Sequence, residues 1–396
     1  MKLSKRVLSM QESPVRKLVP IATKVKAQGK KVYHLNIGQP DIETPKVFMD
    51  AINNYDTRVI KYSFSQGEPV LISAIRDYFK RDDIIFNENE IIITNGGSEA
   101  IILASIALCD PGDEILVPEP FYTNYNGFTS AVNVVIKPIT TKPEDGFRLP
   151  SKTAILKLIT PKTKAILFSN PGNPTGTIYT KAELQMLAEI AIEKDIFLIS
   201  DEVYRGFAFD GLESISMGTF KDVSDRVAII ESVSKRYSAC GARIGSISSK
   251  NPDLMHNILK LAQARLCVPT LEQVGAAALY GLSDEYTTSV KAEYENRRNI
   301  VYETLQSIEG LVCEKPKGAF YLVAKLPVDN AEKFVIWLLE EFDVNGETVM
   351  LSPAEGFYAT KGLGVDEVRI AYVLNTDKMK IAMNILKEGL IAYNKL

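Results

Sequence analysis

Residues 164–204, KAILFSNPGNPTGTIYTKAELQMLAEIAIEKDIFLISDEVY, contain two short apolar runs separated by one amphipathic helical pattern. The runs at 164–168 and 196–200 are largely apolar, which is typical of strands buried on both faces of a sheet. Residues 180–195 begin with a threonine cap followed by a glutamate three residues later, and their apolar positions recur at helical spacing. This strand–helix–strand order predicts a mostly parallel sheet covered by helices.

The same pattern extends on both sides of this segment and changes towards the C-terminus. Two more apolar runs predict strands, at 90–94 and 226–230. A long helical stretch with one interruption near Gly281 is predicted from 269 to about 308. In the C-terminal part, strand patterns at 318–324 and 368–373 alternate with helix patterns at 331–342 and 376–393.

This change of pattern predicts two domains in the chain of 396 residues, since a domain usually has about 100–200 residues. Residues 46–285 are expected to form a large domain around the mostly parallel sheet. Residues 286–396 are expected to form a smaller α+β domain. Residues 1–45 carry few core signals, and we expect them to pack with the small domain.

Composition argues against several classes of function. The chain has 46 Lys and Arg against 49 Asp and Glu, a net charge of −3, which does not favour binding to nucleic acid or to an anionic membrane. No apolar run approaches the roughly 18 residues that a membrane span needs, and the N-terminus lacks the apolar region of a signal peptide. The four cysteines form no CxxC pair, which fits reduced thiols and predicts a cytoplasmic location. With two histidines in the chain, a zinc site or a histidine-based triad is poorly supplied, and no metal is expected.

Polar residues follow four of the predicted strands at the point where each strand ends. The segments are NGGSEA (95–100), SNPGNPTG (169–176), DEVY (201–204) and ESVSK (231–235). Ligands of parallel sheets bind beyond the carboxyl ends of the strands, so one crevice is expected to collect these side chains. Taken singly, each segment also fits an ordinary turn, helix cap or solvated charge. Their combination favours a ligand site, in which the helix after 95–97 is suited to a phosphate.

Three of these motifs carry a resemblance to a known family. NPGNPTG (170–176), DEVY (201–204) and SVSK (232–235), with Arg243 after them, resemble the motifs of class I aminotransferases, which are pyridoxal-phosphate (PLP) enzymes of fold type I. The resemblance extends from residue 35 to residue 372. It implies an α/β fold whose large domain has a mostly parallel seven-stranded sheet.

The resemblance also implies roles around the cofactor ring. Lys235 would form the Schiff base with the cofactor aldehyde and, once freed, move the substrate proton. Asp201 would sit against the pyridine nitrogen. Asn173 and Tyr204 would hydrogen-bond the ring phenolate oxygen, and Tyr122 would stack on the ring.

A second group of residues would hold the cofactor phosphate. In the resemblance these are the amides of Gly97 and Ser98, the hydroxyl of Ser232 and the guanidinium of Arg243. Tyr62 matches a tyrosine that reaches the phosphate from the neighbouring subunit. The family pattern therefore predicts a homodimer with two shared active sites.

The substrate α-carboxylate would be clamped by Arg369, with help from Asn173 and the backbone at Gly38. This predicts an aminotransferase that exchanges the amino group of an L-amino acid with a 2-oxoacid by a ping-pong mechanism. Two alternatives remain on the same scaffold: a carbon–sulfur β-lyase, and a non-catalytic module that binds PLP or an effector.

The preferred amino acid is less constrained than the reaction. Position 98 holds serine, where some bacterial aspartate aminotransferases have a lysine that neutralises the distal carboxylate. A cation for a dicarboxylate would therefore have to come from elsewhere. The candidates are Arg16 in the N-terminal stretch and Arg265, which lies in a segment that resembles a partner-subunit loop near the site. Aspartate with 2-oxoglutarate is the leading substrate pair. Arg236 has no assigned role beyond pairing with a carboxylate to balance charge.

Overall fold

The computed structural model describes residues 2–8 and 10–396, which form a seven-stranded sheet, a three-stranded sheet and a two-stranded sheet. The strands in chain order are β1 (Lys31–His34), β2 (Ile91–Asn95), β3 (Glu114–Glu119), β4 (Val135–Thr140), β5 (Thr163–Ser169), β6 (Phe197–Asp201), β7 (Val227–Ser232), β8 (Ile244–Ser249), β9 (Tyr321–Lys325), β10 (Glu347–Met350), β11 (Ser352–Pro353) and β12 (Glu367–Ala371).

Helices cover the faces of these sheets. In chain order they are α1 (Lys5–Leu8), α2 (Val19–Ala27), α3 (Lys46–Asn53), α4 (Pro69–Lys80), α5 (Gly96–Leu108), α6 (Asn124–Ala131), α7 (Lys152–Leu156), α8 (Lys181–Lys194), α9 (Val233–Arg236), α10 (Pro252–Arg265), α11 (Thr270–Tyr280), α12 (Asp284–Gln306), α13 (Ala331–Glu340) and α14 (Thr376–Tyr393). In the described part of the chain, no helix is both long and apolar enough to cross a membrane.

The large sheet has the strand order β2-β8-β7-β6-β5-β3-β4. Strand β8 is antiparallel to both of its neighbours, and the other pairs are parallel. Strands β2, β5, β6 and β7 consequently run in one direction and end at the same edge of the sheet. This confirms the predicted mostly parallel, seven-stranded sheet, and it brings the four polar segments to one side of the molecule.

Burial on both faces explains why the strands read as apolar runs. In β5, Ile166 and Phe168 pack into the core on one face, while Ala165 and Leu167 pack into the core on the other. Successive side chains of a strand point to opposite faces, so a strand between two layers of helices needs apolar residues at every position.

Helix α8 has the ends that its sequence predicts. The Thr180 hydroxyl accepts a hydrogen bond from the Glu183 amide at 3.2 Å, and the Glu183 carboxylate accepts one from the Thr180 amide at 2.7 Å. This capping box satisfies backbone donors that the first turn leaves without partners. The helix ends at Asp195, whose φ of 53° lies in the left-handed region.

The smaller sheets join the two ends of the chain. Strands β11, β12 and β9 form an antiparallel sheet, and β1 pairs in parallel with β10. Leu18, Ala22 and Val25 lie in the same buried core as Phe334 and Leu338 of α13. Residues of the N-terminal segment thus pack against the C-terminal part of the chain. The domain limits stay a prediction; the one at 285/286 falls in the first turn of α12.

Candidate active site

A cleft of about 440 Å³ opens at the carboxyl edge of the large sheet and is bounded on its other side by β9 and β12. Its lining contains all the residues predicted for the cofactor and substrate except Tyr62. Those residues are Gly38, Gly97, Ser98, Tyr122, Asn173, Asp201, Tyr204, Ser232, Lys235, Arg243 and Arg369.

Lys235 reaches the cleft from the short helix α9, which follows directly after the fully buried strand β7. The Ser232 hydroxyl accepts a hydrogen bond from the Ser234 amide at 3.1 Å and so caps this turn. The Lys235 Nζ donates to the carbonyl oxygen of Gly38 at 2.8 Å and lies 3.8 Å from the Cys240 Sγ. The amine therefore bridges the large sheet and the N-terminal segment.

The position of Gly38 beside this amine depends on its having no side chain. A Cβ at position 38 would collide with the hydroxyl of Tyr321. That hydroxyl also donates to the Gly38 carbonyl, at 3.4 Å. The Gly38 carbonyl therefore meets both the Lys235 amine and the Tyr321 hydroxyl, which fixes the N-terminal segment at the mouth of the cleft.

Asp201 is the last residue of β6, and its side chain is buried at the floor of the cleft. Its carboxylate accepts a hydrogen bond from the Tyr125 hydroxyl at 2.6 Å and a longer one from the Val203 amide at 3.4 Å. Burial raises the pKa of Asp201 to about 6, against the lowering effect of these hydrogen bonds and of the Lys235 charge. Within residues 2–8 and 10–396, Asp201 has no ion-pair partner, so its ionised form lacks a counter-charge in contact.

Tyr204 follows Asp201 by three residues and is buried between the two sheets. Its hydroxyl lies 3.1 Å from the hydroxyl of Tyr321 on β9. Burial and this neighbouring phenol raise the pKa of Tyr204 well above its usual value, so Tyr204 is a neutral hydrogen-bonding group at physiological pH.

Arg369 projects from β12 and is 3 % exposed. Its guanidinium donates to the carbonyl of Asn36 at 2.6 Å and to the Asn173 Oδ1 at 3.2 Å, and it packs 4.6 Å from the centre of the Tyr321 ring. Burial lowers the pKa of Arg369. In the described part of the chain no carboxylate pairs with this cation, and its buried Nε has no acceptor. A buried cation with an open hydrogen-bonding position is suited to hold an anion.

The predicted phosphate end of the cleft is a tight turn before α5. Gly96, with φ of +71°, begins this helix, and a Cβ at Gly245 of β8 would lie 2.5 Å from the carbonyl carbon of Gly96. Glycine at both positions lets the two backbones touch at this turn, and the residues that follow Gly96, Gly97 and Ser98, line the cleft. The Arg243 guanidinium lies over the turn and donates to the carbonyl of Asn95 at 3.4 Å. Free amides and a cation are the groups that bind a dianionic phosphate.

Tyr125, Tyr321 and Asn36 contribute to the site and were not predicted. Tyr125 bonds Asp201, Tyr321 contacts Tyr204 and Arg369, and Asn36 anchors Arg369. The signal for Tyr321 was available in GAFYLVA, where one phenol hydroxyl interrupts a strand of otherwise apolar residues. Tyr125 and Asn36 lie within three residues of predicted positions, although nothing in their spacing marks them.

The structure does not bring every predicted residue to the cleft. Tyr62 is 82 % exposed and lies outside the cleft lining of its own chain. Arg265 forms an ion pair with Glu99 at 3.2 Å and is not part of the lining either. Arg16, by contrast, lines the cleft.

Arg236 has the charge-balancing partner that its position suggested. It pairs with Glu231 at 2.9 Å, and both side chains are buried. Its guanidinium also packs 4.4 Å from the centre of the Tyr78 ring. The pair lies behind the turn that carries Lys235, and neither member lines the cleft. Within the described residues, no group of three or more His, Cys, Asp or Glu side chains could hold a metal ion.

Comparison with known proteins identifies the family. The family model "Aminotransferase class I and II" matches residues 30–386. An aspartate aminotransferase of Bacillus subtilis is 32 % identical over 98 % of both chains, and an aromatic-amino-acid aminotransferase of Thermococcus litoralis is 29 % identical over 98 % of both. The structure of an alanine aminotransferase from Pyrococcus furiosus matches with a TM-score of 0.90 at 32 % identity, covering 99 % of this chain and 100 % of that one. The chain therefore belongs to the class I and II aminotransferases, PLP-dependent enzymes of fold type I.

Proposed function

We propose that this protein transfers the amino group of an L-amino acid to a 2-oxoacid, with aspartate and 2-oxoglutarate as the leading substrate pair. One observation carries the proposal: among the residues that the structure describes, a single cleft holds an amine, a buried carboxylate without a cation in contact, and a buried guanidinium without an anion. These are Lys235, Asp201 and Arg369. PLP and an amino acid carry a partner for each: an aldehyde for the amine, a protonated pyridine nitrogen for the carboxylate and an α-carboxylate for the guanidinium.

The residues present fit PLP. Asp201 matches the protonated pyridine nitrogen, because a cation there would relieve the cost of ionising a buried carboxylate. The turn at Gly97 and Ser98, with Ser232 and Arg243, offers amides, a hydroxyl and a cation to the phosphate. When bound, the cofactor supplies an electron sink for the charge left on the substrate when its α-proton is removed.

The remaining steps are carried out by the side chains of the chain. Arg369 and Asn173 bind the substrate α-carboxylate, which orients the α-carbon within the cleft. The Lys235 Nζ accepts the α-proton and later returns one, acting as the general base and acid. Asn173 and Tyr204 would donate hydrogen bonds to the ring oxygen of the cofactor, and Tyr122 would pack on its ring. Tyr321 holds Tyr204 in place through the contact between their hydroxyls.

We also propose that the protein acts as a homodimer in which Tyr62 reaches the phosphate of the partner's site. The segment around Tyr62 supports this, since Val59, Ile60 and Phe64 are all more than half exposed. Apolar side chains concentrated on one exposed segment are typical of an interface. A cytoplasmic location stays a prediction.

The reaction can be tested with an amino-donor screen on the holoenzyme. Each amino acid is added to PLP-loaded protein and the visible absorption of the cofactor is followed; 2-oxoglutarate is then added. We expect the absorption to change with the donor and to return with the oxoacid, as a ping-pong exchange requires.

The matched variant is Lys235→Ala, which should lose the visible absorption of the lysine-bound cofactor and the exchange together. An unchanged spectrum in this variant would contradict the assignment of Lys235. Pyruvate and thiol released from cystathionine without any oxoacid would support the β-lyase instead. Cofactor binding without turnover of any amino acid would support a non-catalytic module.

A further inference from the structure

The cleft contains more positive charge than the cofactor and an α-carboxylate need. We propose that Arg16 binds the distal carboxylate of a dicarboxylic substrate and makes the enzyme selective for acidic amino acids and their oxoacids. This inference rests on the function proposed above. It assigns a substrate class to the same site through a residue of the N-terminal segment.

The charges of the lining carry the first step. Among the residues that the structure describes, four cations line the cleft, Arg16, Lys235, Arg243 and Arg369, against one carboxylate, Asp201. Lys235, Arg243 and Arg369 serve the aldehyde, the phosphate and the α-carboxylate in the proposed function. The Asp201 carboxylate would pair with the pyridine nitrogen of the cofactor. Arg16 is then left without a ligand. The remaining cation predicts a third anionic group on the bound molecule.

Arg16 is available for such a group. Over residues 2–8 and 10–396, its side chain forms no ion pair or hydrogen bond, and it is exposed to the cleft. The next residue, Lys17, differs in both respects: it pairs with Glu332 of α13 at 2.6 Å and does not line the cleft. Two adjacent cations therefore have separate surroundings, one neutralised by the protein and one free to meet a ligand.

The position of Arg16 is linked to that of Arg369. The Asn36 side chain donates to the carbonyl of Val15 at 3.1 Å, and the Asn36 carbonyl accepts from Arg369 at 2.6 Å. One buried residue thus connects the segment that carries Arg16 with the predicted α-carboxylate clamp. Binding of a dicarboxylate requires two cations at a fixed distance from each other, and the contacts of Asn36 hold Arg16 and Arg369 in such an arrangement.

Further contacts hold the N-terminal segment in place. Pro14 packs so closely on Gly356 that a Cβ there would clash with its ring, and Gln11 bonds both Asn126 and the carbonyl of Gly356. The segment is therefore fixed to α6 and to the loop before β12. An arginine on such a segment loses less freedom when it binds than one on an untethered chain.

The other candidates for this role are less suitable in the structure. Position 98 is serine, which cannot neutralise a carboxylate. Arg265, which the resemblance places in a partner-subunit loop, is already paired with Glu99 of its own chain. Without a cation, a buried distal carboxylate would carry a large desolvation cost, so Arg16 is the residue we expect to offset it.

The test compares Arg16→Gln with wild-type holoenzyme in the donor half-reaction. Aspartate and asparagine are used as donors because they have nearly the same shape and differ in charge. We expect the variant to lose about 10- to 100-fold in kcat/KM for aspartate and little for asparagine, as for a hydrogen bond to a charged group. Succinate should lose affinity for the variant by a similar factor in calorimetric titrations, whereas butyrate should not.

The matched control is Lys17→Gln, which removes the same charge one residue away and should leave kcat/KM for both aspartate and asparagine unchanged. An equal loss for aspartate and asparagine in Arg16→Gln would overturn the inference, since the residue would then act on the site as a whole. A wild-type enzyme that turns over neutral donors only would also overturn it, yet would leave the proposed transaminase intact. Absence of any donor half-reaction would reject the proposed function itself.

Discussion

Replacement of Asp201 by asparagine should make the cofactor-free protein more stable at neutral pH while weakening PLP binding. Asp201 is buried, and its pKa of about 6 lies above the 3.8 of an unperturbed aspartate. A group with a raised folded-state pKa stabilises the fold only while it is protonated, so stability falls as the pH rises from about 4 to about 6. Asparagine cannot ionise, and its amide oxygen can still accept the hydrogen bond from Tyr125.

The size of the effect follows from the shift in pKa. About two pKa units correspond to about 3 kcal/mol of destabilisation at pH 8, falling to about 1 kcal/mol at pH 4.5 where most of the carboxyl is protonated. This figure already includes the hydrogen bond from Tyr125 to the ionised carboxylate, because that bond lowers the same pKa. The change between the two pH values, about 2 kcal/mol, is therefore the diagnostic quantity. The entropy of unfolding is about 2.1 cal/mol/K per residue. For 396 residues, a free-energy change of about 2 kcal/mol therefore corresponds to about 2–3 °C in Tm.

The assay is thermal unfolding of the apoprotein, stripped of PLP with a carbonyl reagent, at pH 4.5 and pH 8 and at one protein concentration. The Tm of Asp201→Asn minus the Tm of the wild type should be about 2–3 °C larger at pH 8 than at pH 4.5. Asp222→Asn is the control, because it removes an exposed carboxylate and should show no such rise. A difference that is the same at both pH values would refute the reasoning that burial of this charge destabilises the apoprotein.

Two further predictions concern arginines near the cleft. Arg369→Ala should raise KM for aspartate, alanine and phenylalanine alike by about 100-fold, because the α-carboxylate is common to all three. A rise in KM for one donor alone would instead show that Arg369 binds the substrate side chain. Arg236→Met should lower the free energy of unfolding in urea by about 3–5 kcal/mol, since it leaves Glu231 buried without its partner, and adding Glu231→Gln should recover most of the loss. If the single variant loses less than about 1 kcal/mol, the buried pair does not have the stabilising role that its geometry indicates.

The sequence indicates which residues meet at the strand ends because a parallel sheet brings them together by its topology. Asp201 and Lys235 are separated by 34 positions, yet β6 and β7 are neighbours and end at the same edge. A strand that is apolar throughout marks its own end by the first polar residues that follow. Buried strands and strand-end chemistry can therefore be read from one sequence with few assumptions.

Contacts between separate sheets were harder to predict. Tyr321 meets Tyr204 across 117 positions because β9 packs against the turn that follows β6. No periodicity in either segment records how two sheets approach each other. The sequence likewise indicated a carboxylate partner for Arg236, but the identity of Glu231 depends on the fold of the turn between them. The proposed role of Tyr62 concerns a second subunit, which a single chain does not contain.

The unpaired charges of the cleft explain why it favours ligand binding over collapse. Asp201 and Arg369 are both buried, and they come from opposite sides, one from the large sheet and one from β12. Had they formed an ion pair with each other, each would be neutralised and neither would need a ligand. Instead, neutral groups hold each of them: Tyr125 and the Val203 amide for the carboxylate, and carbonyl oxygens for the guanidinium.

Neutral partners fix the position of a charge without cancelling it, so the cost of burying it remains in the apoprotein. That cost falls when a cation meets Asp201 and an anion meets Arg369. The free energy recovered in this way adds to the binding affinity for the cofactor and the substrate. The residues that destabilise the empty fold should therefore be the ones on which cofactor and substrate binding depend. The expected gain in apoprotein stability of Asp201→Asn and its expected loss of PLP affinity are two results of this single arrangement.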